Sequence, residues 1–547
     1  MLCGIILGNT TVKRAVSTKS FKRTAKAQEC MEQKKETKQE HGIKSQHNHE
    51  QKDQHHQSSP KDEHRLIAER KRKLEELRAQ GINPYPYNYK QTHHAAEIKA
   101  VHAHLQPEQH SGEHVSIAGR LMLFRRMGKA SFGQLQDETG RVQIFLKSDL
   151  LGEKYSLLDN IDIGDILGIQ GEVVKTKTNE VTVLANNVEI LAKSLRPLPE
   201  KYHGLKDEEE RFRKRYLDLT MNPDIKNIFL QRAKIVDSVR ETLRKHNFLE
   251  VDTPTLQTMY GGANAKPFIT HINTWDMKMY LSIAPELYLK RLIVGGFERV
   301  YTICKNFRNE GVDQTHNPEF TMMECYQAYT DYNDMMTLTE EIYENACKAV
   351  HASTVVVRNE KEIDFKRPWK RITMKDAIKE YAKIDVDALS DEELRSYIEE
   401  YELKATSTRG DIITALFEHF AEKQLIQPTH VTDHPIESTP LCKTLRTGDT
   451  MMIERFESFV MGTEITNAYS ELNDPVVQRR LLEEQAAQLR SGAEEAHPMD
   501  EDFLQSIEYG MPPTGGLGLG IDRMVIMLLG AEGIRDVIFF PTMKPEK

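Results

Sequence analysis

In the stretch FRNEGVDQTHNPEF, residues 307–320, Arg308 and Glu310 stand two positions apart ahead of a turn rich in Gly, Asn and Pro, and Phe320 follows it. In an extended strand, residues two apart share a face at about 7 Å, so a cation and a carboxylate could meet one ligand together. The segment after the turn, EFTMMECYQAY, alternates so that Phe320, Met322, Glu324 and Tyr326 share a face. Folded back as an antiparallel hairpin, the two segments would offer Arg308, Glu310, Phe320, Glu324 and Tyr326 on one sheet surface. A half-solvated hairpin with ordinary cross-strand ion pairs would account for the charges alone, so the weight falls on what other segments bring.

The stretch ERFESFVMGTEITNAYSELND, residues 454–474, spaces Glu457, Glu464 and Glu471 seven residues apart around a turn expected at Met461 and Gly462. Carboxylates that face one another repel, so gathering them calls for a cation. A two-residue turn makes Glu457 and Glu464 diagonal neighbours, suited to holding Mg²⁺ through oxygen ligands and phosphate. Asn467, Tyr469 and Glu471 share a face of the opposite parity, and bringing all five together requires a bulge near Ile465 or Thr466. In GGLGLGIDRMVIMLLG, residues 515–530, a glycine-rich strand ending at Gly520 enters an apolar helix with Arg523 near its start. Small residues let a nucleotide approach the backbone, and the planar guanidinium matches phosphate oxygens. The chain has neither a GxxxxGK loop nor a GxGxxG fingerprint at a strand-to-helix turn.

The elements that must position these residues are legible in outline. Residues 1–63 hold a basic stretch and then a Gln-, Lys-, Glu- and His-rich run with almost nothing apolar, and are expected to be disordered. The segment before Glu29 has no acidic residue. It reads either as a basic tail or as an organellar transit segment, and Met31 is an alternative start. The histidines of 47–57 could chelate a metal, but a mobile tail must be ordered to do so. Residues 64–111 open with an amphipathic helix that has a basic face and stops near Gly81. Within 112–198, five short alternating segments divided by Gly, Asp and Asn turns predict a five-stranded barrel of the oligonucleotide-binding type, able to stack and read unpaired bases. The charge-dense, proline-bearing residues 199–225 read as a hinge, and 226–547 as a larger domain of helices and strands interrupted at 355–430 by a helical insertion.

Composition sets limits. At 547 residues the chain exceeds what one core supports, so two or three domains are expected. No apolar run approaches the roughly 18 residues that cross a bilayer, and no membrane partner is expected. A net charge of −9 argues against indiscriminate coating of nucleic acid but permits a local basic face. The six cysteines are scattered without a CxxC pair, which implies neither a zinc site nor a disulfide framework and fits a reducing, cytoplasmic compartment; organelle targeting is the alternative if residues 1–28 are a transit segment.

With NFLEVDTPTLQ (247–257) and APELYLKRLIVGGFERVY (284–301), these segments resemble the signature motifs of the class II aminoacyl-tRNA synthetases, most closely those of the lysine-activating members, from about residue 65 to 547. The resemblance implies an α+β protein: an anticodon-reading OB-type barrel followed by a catalytic antiparallel sheet flanked by helices, assembled as a homodimer with Pro254 and its surroundings at the interface. It implies L-lysine, ATP and tRNA(Lys) as partners and Mg²⁺ as the metal. Arg308 and Arg523 would be the catalytic residues. Arg308 would bridge the α-phosphate and the lysine carboxylate, Glu310 would meet the adenine amino group, and Phe320 would stack on adenine against Arg523, with His316, Asn317, Glu464 and Gly520 also on the ATP side. Gly262 and Glu286 would receive the α-amino group and Asn467 the carboxylate. Glu324, Tyr326 and Glu471 would surround the ε-ammonium, with Tyr469 in the same pocket, and Glu457 and Glu464 would hold the metal. Phe132 and Gln143 match positions that stack on and hydrogen-bond the central anticodon base. Asn187 stands where the family usually has glutamate, with Glu189 two residues on. No proton-transfer residue is implied, because the attacking carboxylate is already ionised at neutral pH.

Overall fold

The computed structural model describes residues 60–199, 207–404, 408–490 and 497–546. The basic stretch before Glu29, Met31 and the histidine-rich run 47–57 lie outside the described residues. Two compact units meet in sequence at the Leu198–Pro199 bond.

In the first unit, α1 (Pro60–Ala79) turns Leu74 and Leu77 inward. Gly81, at φ 73°, ends it in a conformation that costs glycine least. A short helix, α2 (Ala95–Val101), precedes five strands: β1 (His110–Met127), β2 (Ala130–Gln136), β3 (Arg141–Lys147), β4 (Ile166–Lys175) and β5 (Val181–Ala192). They close into a barrel in the order β1-β2-β3-β5-β4. Strict alternation drives the closure. Leu135, Val142, Ile144 and Leu146 fill the interior of β2 and β3, while Phe132, Gln143 and Phe145 face outward.

In the second unit the chain from Glu208 is helical where a hinge was anticipated. It forms α3 (Glu208–Arg213), α4 (Arg215–Met221) and the long α5 (Pro223–Lys245). Arg215 is fully buried and paired with buried Asp218 at 2.7 Å, a desolvated pair that only a packed segment would hold.

An eight-stranded sheet organises this unit. Its strands are β6 (Leu249–Glu250), β10 (Arg299–Phe307), β11 (Glu319–Ala328), β14 (Lys370–Thr373), β15 (Thr429–Pro435), β16 (Met452–Val460), β17 (Thr463–Ser470) and β18 (Thr514–Gly520). They run β14-β15-β16-β17-β18-β11-β10-β6, antiparallel except at the two edges, where β14 pairs parallel with β15 and β10 with β6. Three short strands, β7 (Leu256–Gln257), β8 (Ile269–Ile272) and β9 (Met277–Leu281), form a separate small sheet. Between β9 and β10 lies α6 (Glu286–Val294).

Period-two alternation divides the large sheet into two chemically different faces. Met323, Cys325, Phe456, Ala468, Leu517 and Leu519 pack on α5, on α7 (Tyr332–His351) and on the helix after β18. On the opposite face β18 presents Gly516, Gly518 and Gly520 in place of side chains.

Residues 355–430 correct the expectation of a wholly helical insertion. They begin with a hairpin, β12 (Val355–Arg358) and β13 (Lys361–Asp364), and their β14 and β15 belong to the main sheet. The helices α8 (Met374–Ala382), α9 (Asp391–Glu400) and α10 (Arg409–Phe420) form the crossover that a parallel strand pair needs. The strands were hidden because each is only four to seven residues long beside strongly amphipathic helices.

Candidate active site

Hairpin β10–β11 carries the first wall. Its register sets Thr302 opposite Glu324 and Val300 opposite Tyr326. Arg308 and Glu310 do not lie in the strand, as alternation alone suggested. β10 ends at Phe307, and Arg308 follows it into the loop, its amide donating to Pro318 O at 3.0 Å. The guanidinium of Arg308 sits 5.1 Å over the ring of Phe320, a cation–π contact, and its Nε is buried without a hydrogen-bond partner.

Hairpin β16–β17 carries the second wall. Met461 and Gly462, at φ 53° and 67°, make the two-residue turn. Ser458 pairs with Thr466 but Phe459 pairs with Glu464, so Ile465 is the extra residue of a bulge. That bulge turns Glu457, Glu464, Asn467, Tyr469 and Glu471 toward one cavity. Beneath it, Ser458 and Thr466 share a hydroxyl hydrogen bond, and the buried ring of His430 links Ser458 Oγ, 2.9 Å away, to Glu340 Oε1 at 3.2 Å.

The cavity measures about 330 Å³. Its lining brings together all sixteen residues anticipated for amino acid, nucleotide and metal: Gly262, Glu286, Arg308, Glu310, His316, Asn317, Phe320, Glu324, Tyr326, Glu457, Glu464, Asn467, Tyr469, Glu471, Gly520 and Arg523. Arg523 lies in the first turn of α13 (Ile521–Leu529), with α11 (Pro475–Arg490) and α12 (Glu501–Glu508) between β17 and β18.

One end of the cavity is acidic and deeply buried. Glu286, Glu324 and Glu471 are each at most 4% exposed. The Tyr326 hydroxyl donates to Glu324 Oε2 at 3.1 Å. Burial pushes the Glu324 carboxyl up to about 8; Glu286 and Glu471 push the same way, and Tyr326 and Arg308 oppose. Burial also raises Glu286 and Glu471, against the pull of Lys290. The other end holds charges in pairs. Arg523 donates to Glu464 Oε2 at 2.9 Å and to its backbone oxygen at 3.0 Å, and Arg455 donates to Glu457 and, at 3.0 Å, to Asn467 Oδ1. Asn467 in turn donates to the Tyr469 hydroxyl at 3.1 Å. Asn317 lines the cavity, yet its amide is engaged with the backbone of Glu319 and Thr542. The His316 ring pairs with Asp313 at the rim.

Among the described residues, no group of three or more His, Cys, Asp or Glu side chains is placed to hold a metal ion. Glu457 and Glu464 share one wall, each paired with an arginine; two carboxylates so placed nevertheless suit Mg²⁺, which is usually held by one or two carboxylates with substrate phosphates supplying the rest.

On the barrel, Phe132 stacks on Phe145 with ring centroids 4.2 Å apart and 6° between planes, and the Lys147 ammonium lies 4.9 Å from the Phe145 ring. Gln143 accepts from Thr182 at 2.8 Å. Asn187 accepts from Lys154 at 2.5 Å and donates to Glu189 at 3.0 Å. Phe145 was missed. Its alternation with Gln143 puts it on the outward face, but only the β2–β3 register sets it against Phe132. Lys290, Arg455 and His497 also line or flank the cavity and were not singled out from sequence. The Glu286 to Lys290 spacing of four was visible, but such pairs usually decorate solvent-facing helix surfaces.

This fold and this constellation define a nucleotide-dependent, amino-acid-activating domain that follows a nucleic-acid-binding barrel in the chain. A family profile described as tRNA synthetases class II (D, K and N) matches residues 207–544, and one described as an OB-fold nucleic acid binding domain matches 115–191. The chain belongs to the class II tRNA synthetases of the D, K and N group. It is 51% identical over 490 residues to the lysine–tRNA ligase of Clostridium novyi (strain NT), covering 88% of this chain and 95% of that one. Likewise, it is 49% identical over 477 residues to the lysine–tRNA ligase of Methanoculleus marisnigri, covering 86% and 94%.

Proposed function

We propose that this protein is a lysine–tRNA ligase, a lysyl-tRNA synthetase. It joins L-lysine to ATP to give lysyl-adenylate and pyrophosphate, then transfers the lysyl group to the 3′ end of tRNA(Lys). The observation that carries the reading is the buried acidic end of the cavity, where Glu324, Tyr326 and Glu471 meet. A buried carboxylate without a cation is costly, so this pocket favours an ammonium and leaves charge unpaired when a neutral or anionic side chain enters. The aspartate- and asparagine-using branches of the same family are the second reading, and the acidity of this pocket argues against them.

The lysine carboxylate is the nucleophile and is ionised at neutral pH, so the side chains have positioning and charge neutralisation to supply rather than proton transfer. Arg308 bridges that carboxylate and the α-phosphate, Glu286 and the Gly262 backbone take the α-ammonium, and Asn467 faces the carboxylate. Phe320 and Arg523 stack on the two faces of adenine, Glu310 meets its amino group, and His316 follows the phosphates. Glu457 and Glu464 would hold Mg²⁺, which when bound would neutralise phosphate charge. On the barrel, Phe132 and Gln143 read the anticodon, and Asn187 with Glu189 completes that face.

The proposed assembly is a homodimer through the segment around Pro254. Leu256, two residues on, is 42% exposed and is available to such an interface. A reducing, cytoplasmic compartment is proposed on the four free thiols Cys304, Cys325, Cys347 and Cys442 among the described residues. No described helix is long and apolar enough to cross a membrane.

Amino-acid-dependent exchange of pyrophosphate into ATP by the purified protein tests the substrate. Exchange with lysine is expected, and exchange confined to aspartate or asparagine would overturn the assignment.

A further inference from the structure

Lys290 has no place in the reaction as described, yet it is fully buried beside the substrate pocket. It lies one helical turn beyond Glu286 on α6, and its ammonium contacts two carboxylates at once, Glu286 Oε1 at 2.6 Å and Glu471 Oε2. These two acids come from segments 185 residues apart in the chain, and Lys290 is the point where they join. One oxygen of each acid is thereby fixed. The other Glu286 oxygen lies toward Gly262, 3.6 Å from where a Cβ at that glycine would be. The other Glu471 oxygen lies toward Gly516 and the Tyr326 ring and has no hydrogen-bond partner.

With Glu286, Glu324 and Glu471 all ionised, as a bound ammonium favours, these three buried carboxylates and one buried ammonium leave this end of the cavity two negative charges in excess. L-lysine carries two ammonium groups. The two unclaimed oxygens point to different places, as a ligand with a cation at each end requires. Neighbouring His497 is buried and held neutral, its ring pushed down to about 4 by burial and by the Lys290 charge, so it does not alter the balance. The Lys290 ammonium keeps its proton: burial works to remove it, and Glu286 and Glu471 outweigh burial.

We propose that Lys290 is a positioning and specificity-determining residue, whose fixed positive charge aligns Glu286 and Glu471 and trims the acidic pocket to the two charges that one lysine molecule neutralises. The proposal rests on lysine being the substrate. Without Lys290 three acids would face two ammonium groups, one acid would have to stay protonated, and neither Glu286 nor Glu471 would be held in place.

Lys290→Met keeps length and removes charge. Its Michaelis constant for lysine in pyrophosphate exchange is expected to rise at least about 100-fold, because Glu286 and Glu471 lose the cation that fixes them, while that for ATP stays within about threefold. Lys290→Ala supplies the readout that a packing role would not move. Added propylammonium should restore lysine use, and propanol of the same size should not. If the variants do not fold unaided, the same pair of additives is supplied during folding, and recovery with propylammonium alone supports the proposal. A Lys290→Met protein with a near-normal Michaelis constant for lysine, or rescue by both additives or by neither, would overturn it. The unaltered protein is assayed in parallel. Its failure to use lysine would remove the functional reading itself, whereas lysine use by both it and Lys290→Met would remove only the role of Lys290.

Discussion

Gly516 and Glu471 are in such close register that a Cβ built on the glycine would lie 1.9 Å from Glu471 Oε1 and 2.6 Å from the Tyr326 ring. The glycine is there because the carboxylate needs its place. Gly516→Ala must push Glu471 or Tyr326 aside, and overpacking of this kind costs about 1–3 kcal/mol. We expect lysine-dependent exchange to fall by about 5- to 150-fold in kcat/KM with the Michaelis constant for ATP unchanged. Glu471→Gln, which keeps shape and loses charge, should do the same more severely. An equal loss of ATP affinity in either variant would detach Glu471 from the lysine pocket.

The carboxyl of Glu324, held up to about 8, is largely protonated at neutral pH. A bound ammonium favours the ionised form, so lysine binding expels that proton, and affinity should strengthen as pH rises from 6 toward 8 and level off above it. The slope is at most about tenfold per pH unit. Calorimetry in buffers of different ionisation enthalpy would detect the released proton at pH 7. A flat affinity profile with no proton release would show Glu324 to be ionised already or remote from the ammonium.

Arg308 lies over Phe320 with one nitrogen unpaired in a buried setting, poised for an anion. Removing a preorganised donor of this kind costs about 100- to 1,000-fold in rate. For Arg308→Ala we expect adenylate formation to collapse by that factor while lysine binding by calorimetry is weakened far less. Exchange within tenfold of normal would take Arg308 out of the reaction.

The Phe132–Phe145 pair gives the barrel an outward aromatic platform. Stacking on a base is worth about 1–3 kcal/mol, so Phe132→Ala should slow charging of tRNA by about 5- to 150-fold at limiting RNA and leave pyrophosphate exchange intact. Equal damage to both steps would mean that the barrel does not read RNA through this face.

Sequence revealed more of the site than of its supports, and the reason is geometric. The glutamates of 457–471 could not share a face without an extra residue, and that parity conflict called for a bulge near Ile465 or Thr466; it lies at Ile465. The glycines of β18 alternate with leucines, a pattern that states which face is open. Lys290, Arg455 and the His430–Ser458 link are different. Each acts through partners that only tertiary folding brings near, and each residue type is ordinary where it stands. Nothing local distinguishes Lys290 from a surface lysine four residues after a glutamate; its burial follows from α6 docking beside β11 and the end of β17. The strands of 355–373 were masked for a related reason, since short edge strands have too few residues to display a period.

The central claim is that buried carboxylates select the substrate by its distal ammonium. Binding of L-lysine and of norleucine, the same chain lacking the ε-ammonium, to the unaltered protein measures this directly by calorimetry. Sites built around a buried polar partner reject the analogue lacking it by about 10⁴-fold or more, and that is the ratio expected here. Norleucine binding within about tenfold of lysine would contradict the account.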